Sequence, residues 1–244
     1  MLGLGTLTMA AYEPGKVSQV ERWRPFVRKY LPHAPEDFIL AWIQHESNGN
    51  PRRRTTDLDE RGILQIHPEE AASMGLTAAE WAYLLKGPGD SNYSADTHFR
   101  LSTRLIHHRE ETVQRYMRVR GFQFTGEDYW TAVKLVHGLP AILDQGAKAF
   151  IAANSYAPST FAALAGWLRD TSWSYRNAEG KTWSAARVSE ILSNAESAGR
   201  WARSTPTRTP GAGPLIGVAA LMIGLVGVLA LWYDRGVLLP GRGA

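Results

Sequence analysis

The sequence predicts a mainly α-helical protein with one transmembrane helix near its C-terminal end. Apolar residues recur at helical intervals from Val17 to Ala202, and the alternating Val, Ile and Thr runs typical of strands are few. The 19-residue run from Leu215 to Tyr233 carries no charged side chain. At about 1.5 Å per residue, a helix of that length nearly spans the roughly 30 Å hydrocarbon core of a bilayer.

The first 16 residues are predicted to be a short N-terminal segment and not an export signal. They lack the basic stretch with which such signals begin, and their apolar run is short and broken by Gly and Thr.

A helix carrying one inward-facing glutamate is predicted next. It begins at Ala34–Asp37, where proline and acidic residues suit a first turn, and it ends at Asn48–Pro51. Phe38, Trp42 and Glu46 recur every four residues, so Glu46 lies in the last turn of the apolar face. Partial burial and the negative helix end both predict a raised pKa, which suits a proton donor. The alternative is a glutamate that merely faces solvent.

Three segments around this helix resemble the motif pattern of the lytic transglycosylases and goose-type lysozymes: Glu46-Ser47, Asn50-Pro51 and Arg61-Gly62-Ile63-Leu64-Gln65-Ile66-His67-Pro68. The resemblance covers roughly residues 17–150 and implies a lysozyme-like helical domain with Glu46 as its catalytic carboxylate. It further implies that Ile63, Leu64 and Gln65, together with Ser47, bind glycan strands of peptidoglycan. Gln65 would contact the sugar near Glu46.

One motif of the family is altered. Where relatives carry Ala-Tyr-Asn-Ala-Gly, this chain reads Lys134-Leu135-Val136-His137-Gly138-Leu139-Pro140, which keeps the glycine and lacks the tyrosine and asparagine. Gly138 is therefore a candidate substrate-binding residue. His137 either replaces the missing polar contact or is simply a packed or surface histidine.

The reaction depends on whether a second carboxylate reaches Glu46. Asp57, Asp59 and Glu60 are nearest in sequence, but they alternate with arginines as in an ordinary solvated turn. A single glutamate would act twice, first protonating the glycosidic oxygen and then deprotonating the C6 hydroxyl of muramic acid, to give a 1,6-anhydro product. The substrate's own N-acetyl group would replace the second carboxylate. There are two alternatives. The first is hydrolysis, as in goose-type lysozymes, and the second is an inactive membrane-anchored protein that only binds glycan or partners.

Composition argues against several other functions. There is no cysteine, no His-Glu-x-x-His and no phosphate-binding loop, so neither a metal site nor a cofactor is predicted. With 27 basic and 23 acidic side chains and a pI near 9.4, the chain suits anionic walls and membranes, and nucleic acid is not a predicted partner. A long helix from about Ser94 is predicted to expose a basic face, comprising Arg100, Arg104, Arg109, Arg115, Arg118 and Arg120.

The C-terminal part divides into four segments. Residues 151–203 are predicted to be accessory helices that pack on the domain, and residues 204–214 a linker rich in Pro, Gly and Thr. The membrane span covers 215–233 and a short tail covers 234–244. The predicted partners are peptidoglycan, the bilayer around the span, and virion or envelope proteins. The predicted setting is a phage virion membrane or the bacterial inner membrane.

Overall fold

The computed structural model describes the backbone of residues 18–177 and 180–202 and the side chains of this part up to residue 197. The predicted mainly helical class is confirmed for these residues. The helices are α1 (Ser18–Glu21), α2 (Arg24–Tyr30), α3 (Glu36–Ser47), α4 (Pro68–Ser73), α5 (Ala78–Tyr83), α6 (Ala95–Arg120), α7 (Gly126–Gly138), α8 (Ala147–Asn154), α9 (Phe161–Asp170) and α10 (Ala185–Ala202). One π-helical turn, Ile142–Gly146, precedes α8. A short antiparallel hairpin precedes α10, and its strands β1 (Tyr175–Arg176) and β2 (Thr182–Trp183) have two residues each.

Helix α3 lies at the centre of the fold, and its sequence explains both of its ends. Two acidic residues follow Pro35 in the first turn, where they complement the helix dipole. The six residues from Phe38 to Ile43 are all buried. The helix ends where Asn48 and Gly49 adopt the left-handed conformation. A side chain at Gly49 would collide with the backbone of Gln19, so glycine is required there.

The long helix α6 starts where the sequence predicts, because the Ser94 hydroxyl accepts a hydrogen bond from Thr97 N at 3.3 Å and caps it. The prediction of a continuous basic, solvated face is wrong at one position. Arg109 is buried and forms an ion pair with Glu70, whereas Arg100, Arg115 and Arg118 are exposed.

Helix α10 packs against α7 and α3, and α9 packs against α7 and α8. The α10 residues Val188, Leu192 and Ala195 are buried in the same apolar core as α3. This arrangement brings part of the predicted accessory region directly beside the helix that carries Glu46.

No helix among residues 18–177 and 180–202 is long and apolar enough to cross a bilayer. The predicted N-terminal segment 1–16, linker 204–214, span 215–233 and tail 234–244 lie outside the described residues.

Candidate active site

A cavity of about 730 Å³ opens beside the last turn of α3. The chain segment 58–73 forms one side of it, and the end of α7 forms another. The opposite side comes from the hairpin and α10, through Lys181, Trp183 and Arg187. The cavity has the size typical of small-molecule sites. Its wall combines titratable groups with an aromatic ring, which suits a polar ligand that also has apolar faces.

Glu46 lines this cavity, with only 15% of its side chain exposed. Its Oε1 atom forms an ion pair with Nζ of Lys134, which reaches it from α7. Burial by itself would raise the pKa of Glu46, but the Lys134 ammonium and the nearby His137 and His45 hold that pKa well below its usual value. The predicted raised pKa is therefore wrong for this structure, and Glu46 is ionised.

Lys134 is 7% exposed, and its ammonium also lies over the Trp42 ring, 4.6 Å from the ring centre. Burial lowers the pKa of Lys134, whereas Glu46 opposes that shift. The sequence contains a usable signal for this residue, because Lys134 and His137 are three positions apart on one helix and therefore share a face. The motif comparison of this segment points only to His137 and Gly138.

His137 lies between Glu46 and a second ion pair. Its Nε2 atom lies 3.5 Å from Glu46 Oε1, and its Nδ1 atom lies 3.8 Å from Glu70 Oε1. Glu70 in turn pairs with the buried Arg109. Burial lowers the pKa of His137 to about 4, so its imidazole is neutral near pH 7. His137 thus lies beside Glu46 and packs against the Trp42 ring, and Gly138 lines the same cavity, so both sequence alternatives for His137 stay open.

The Gly62–Gln65 turn supports the end of α3. The Ser47 hydroxyl lies 2.9 Å from Ile63 O and 3.1 Å from Ile43 O, and it accepts a hydrogen bond from Gly49 N at 3.2 Å. Ser47 follows Glu46 directly, so its hydrogen bond attaches the end of α3 to this turn. In this structure Ser47 acts as a support for the Glu46 segment.

The other predicted substrate-binding residues are more buried than their predicted role requires. Ile63 and Leu64 belong to the apolar core. Gln65 is buried, and its Nε2 donates to Arg53 O at 3.1 Å and to Gly62 O at 2.8 Å. None of these three is among the described residues that line the cavity. The amide nitrogen of Gln65 thus holds the loop, whereas its Oε1 has no hydrogen-bond partner among the described residues. The direct contact of Gln65 with sugar stays a prediction.

Of the acidic residues between 57 and 60, Asp59 lies at the surface as predicted, whereas Glu60 does not. Asp59 forms ion pairs with Arg54 and Arg61 at the surface. Glu60 instead lines the cavity with Glu46, and Thr55 Oγ1 donates to its Oε2 at 3.2 Å. Burial raises the pKa of Glu60, and the charge of Glu46 adds to the rise. A second carboxylate therefore does share the cavity.

Three residues with the geometry of metal ligands come together elsewhere, at His33, His107 and Glu110, and none of them lines this cavity. The sequence matches no protein-family profile, and neither a curated protein nor a solved structure shows significant similarity to it.

Proposed function

We propose that this protein is a peptidoglycan lytic transglycosylase that cleaves the β-1,4 bond between N-acetylmuramic acid and N-acetylglucosamine. The observation that carries the proposal is the placement of Glu46, a buried carboxylate at the end of α3 that opens onto a sizeable cavity. The hydrogen bond that Ser47 donates to Ile63 O gives support, because it joins the two segments on which the family resemblance depends. A carboxylate that is fixed in place at the wall of a cavity suits proton transfer.

An ionised Glu46 cannot protonate a leaving group, so a proton must reach it first. Lys134 is the donor best placed to supply that proton, because its Nζ contacts Glu46 Oε1 and burial lowers its pKa. When sugar displaces water from the cavity, a neutral pair of carboxylic acid and amine gains over the ion pair. Lys134 would then pass a proton to Glu46, and Glu46 would pass it to the glycosidic oxygen as the bond breaks.

In the second half of the reaction a proton moves from the substrate through Glu46 to Lys134. The substrate N-acetyl oxygen bonds to the anomeric carbon as the glycosidic bond breaks, and the C6 hydroxyl oxygen then displaces it. Glu46 removes the hydroxyl proton and returns it to Lys134. The product is a 1,6-anhydro sugar, no water is consumed, and both side chains regain their starting charges.

Hydrolysis is the second candidate, and the position of Glu60 favours it. Of the four described glutamates that line the cavity, Glu46 and Glu60 have pKa values shifted in opposite directions, down for Glu46 and up for Glu60. Such a pair is typical of an acid and a base acting together. In this version Glu60 would donate the proton, and Glu46 would either activate water or stabilise positive charge.

An inactive glycan-binding protein is the remaining candidate. The absence of the Tyr-Asn pair before Gly138 favours it. The ionisable groups around Glu46 argue against it, since a purely binding groove has no need of a buried carboxylate with its own cation.

The test of activity is a peptidoglycan zymogram with the full chain and the variant Glu46→Gln. We expect the wild type to clear the gel and the variant to lose clearing by at least about 100-fold. Glu69→Gln is the matched control, because Glu69 is an exposed carboxylate that lines the same cavity. Equal clearing by Glu46→Gln and the wild type would reject Glu46 as catalytic residue, and absence of clearing by the wild type would favour the binding protein.

Mass spectrometry of the released muropeptides separates the two reactions. The transglycosylase predicts that the wild type releases anhydro ends and that Glu60→Gln keeps its activity. The hydrolase predicts that the wild type releases reducing ends and that Glu60→Gln loses its activity.

We further propose that residues 215–233 anchor the enzyme in a membrane, either in a phage particle that opens the wall during entry or in a cell-envelope apparatus. Fractionation of purified particles and host envelopes distinguishes the two settings. Recovery in the host envelope alone would reject the phage setting.

A further inference from the structure

Three potential metal ligands from two separate parts of the chain meet at the surface, outside the cavity that holds Glu46. His33 comes from the turn between α2 and α3, whereas His107 and Glu110 lie one turn apart on α6. Each offers one ligand atom, and these atoms all lie within 4.8 Å of one another. We propose that His33, His107 and Glu110 bind a divalent transition-metal ion of the Zn²⁺ type.

The distances between the ligand atoms suit such an ion. His33 Nε2 lies 3.0 Å from Glu110 Oε2, and His107 Nδ1 lies 3.6 Å from the same oxygen. Around tetrahedral Zn²⁺, with bonds of about 2.0–2.1 Å, neighbouring ligand atoms are separated by roughly 3.3–3.5 Å. The two observed distances lie on either side of this range. These two pairs therefore need shifts of only a few tenths of an ångström to admit the ion, and the ligand atoms of His33 and His107 lie within 4.8 Å of each other.

Neighbouring side chains hold the ligands in place. Tyr129 OH donates to Glu110 Oε1 at 3.1 Å, which orients the carboxylate from behind. The His33 ring packs against Trp130, with ring centres 5.9 Å apart, and stacks on the His107 ring at 6.2 Å. These contacts restrict the rings, so less conformational freedom is lost when the ion binds.

Exposure and ligand chemistry together indicate which ion fits. The side chains of His33 and His107 are 40% and 48% exposed, so an ion can enter from solvent and a water molecule can complete its coordination. Two imidazoles and one carboxylate suit Zn²⁺ and its first-row neighbours, whereas Ca²⁺ and Mg²⁺ prefer oxygen ligands throughout.

The ion would connect two elements that are far apart in sequence. His33 lies just before α3, the helix that carries Glu46, and the other two ligands lie on α6. Binding would fix the turn before α3 to α6. Because the ligands are together only in the folded chain, binding would also stabilise the folded state. This inference does not depend on the proposed function.

The test uses the full chain in a detergent that does not chelate metals, purified without a polyhistidine tag and dialysed against EDTA and then against metal-free buffer. Calorimetric titration with ZnCl₂ is expected to show one saturable equivalent per chain. Saturating Zn²⁺ should raise the midpoint of thermal unfolding by at least about 3 °C. Titration with Co²⁺ should produce visible absorption bands of a four-coordinate site with nitrogen and oxygen ligands.

The variants His107→Ala and Glu110→Gln should weaken Zn²⁺ binding at least about tenfold. His108→Ala is the matched control, because His108 is the neighbouring histidine on α6 and is not one of the three ligands. Unfolding midpoints in EDTA show whether each variant folds, and nearly half of the His107 side chain is exposed, so its removal should leave the fold intact.

Absence of saturable binding to the wild type would overturn the proposal. Unchanged affinity in both ligand variants would overturn it as well. Binding that disappears in Glu46→Gln but persists in His107→Ala would place the ion at the cavity instead, and would therefore also reject the proposed site.

Discussion

A buried carboxylate raises the free energy of the folded protein unless a cation shares its surroundings, and Lys134 is that cation for Glu46. The same contact sets a chemical problem, because the ammonium keeps Glu46 ionised while an acid catalyst needs a proton. A lysine differs from a simple counter-ion in this respect. Its proton can be transferred, whereas the guanidinium of an arginine stays protonated in proteins.

Two substitutions at position 134 separate these roles. Lys134→Arg keeps a positive charge beside Glu46 but supplies no proton, so clearing at pH 7 should fall by about 100-fold or more. In Lys134→Met the cation that lowers the Glu46 pKa is gone, and burial, the largest effect, raises that pKa against the remaining contacts with His137 and His45. That variant should retain activity in acid and lose it as pH rises through the raised pKa. The measurement is the rate of muropeptide release between pH 4 and 8.

Lys148→Met is the control, because Lys148 is exposed on α8. A wild-type rate in a correctly folded Lys134→Arg variant would reduce Lys134 to a counter-ion and contradict the proposed transfer.

Because His98 is buried, we expect the free energy of unfolding to depend on pH. Its ring is fully buried and has no hydrogen-bond partner among the described residues, and burial lowers its pKa to about 3. Below about pH 6.5 the unfolded chain takes up a proton that the folded chain does not, so stability falls as pH drops towards 3. The loss is about 1.4 kcal/mol per pH unit. In His98→Gln this part of the slope should disappear.

Denaturant unfolding followed by tryptophan fluorescence between pH 4 and 7 measures that slope. Parallel stability curves for His98→Gln and the wild type would contradict the assignment, whatever the difference in their absolute stability.

At the scale of elements, the turn between Gly62 and Gln65 connects the loop at Arg53 to the end of α3. Gln65→Leu removes the donor to Arg53 O and Gly62 O while roughly keeping the side-chain volume. Both carbonyls keep a backbone hydrogen bond, from Gly62 N and Gln65 N, so the cost is that of two lost side-chain hydrogen bonds. At about 0.5–1.5 kcal/mol for each bond, the free energy of unfolding should decrease by about 1–3 kcal/mol. Activity should fall with it, since the turn supports the segment that carries Glu46.

Gln123→Leu provides the comparison, because Gln123 is exposed and should change stability by less than about 0.5 kcal/mol. Urea unfolding midpoints give both values. A Gln65→Leu variant as stable as the wild type but unable to bind glycan would instead support the direct sugar contact predicted from sequence.

Local signals in the sequence predict the helices better than the site. Proline and acidic residues mark the start of α3, Asn48-Gly49 marks its end, and Ser94 marks the start of α6, so each boundary follows from neighbouring residues. The contact between Glu46 and Lys134 joins positions 88 apart, and the pair of Arg109 with Glu70 likewise depends on how helices pack. No local pattern contains that information. The short β1–β2 hairpin was also not predicted, because two-residue strands leave no alternation to detect.

At the scale of the whole molecule, the cavity is formed by residues from distant parts of the chain. Glu46 and Glu60 come from the N-terminal half, whereas Trp183 and Arg187 come from the segment after α9. The aromatic ring suits the apolar face of a sugar, and the basic side chains suit its anionic substituents. The region interpreted as accessory helices thus contributes a wall of the candidate site.

Residues 215–233 are the predicted membrane anchor. Leu221→Lys combined with Leu225→Lys puts two charges near the middle of the span, and each charge costs roughly 2.5–3.5 kcal/mol on insertion. The full wild-type chain should remain in the membrane pellet after alkaline carbonate washing and should float with lipid vesicles, whereas the double variant should do neither. Leu238→Lys with Leu239→Lys carries the same two changes beyond the span and should behave like the wild type. If both double variants stayed in the membrane, attachment would have to come from another part of the chain, and the exposed arginines of α6 would be the next place to test.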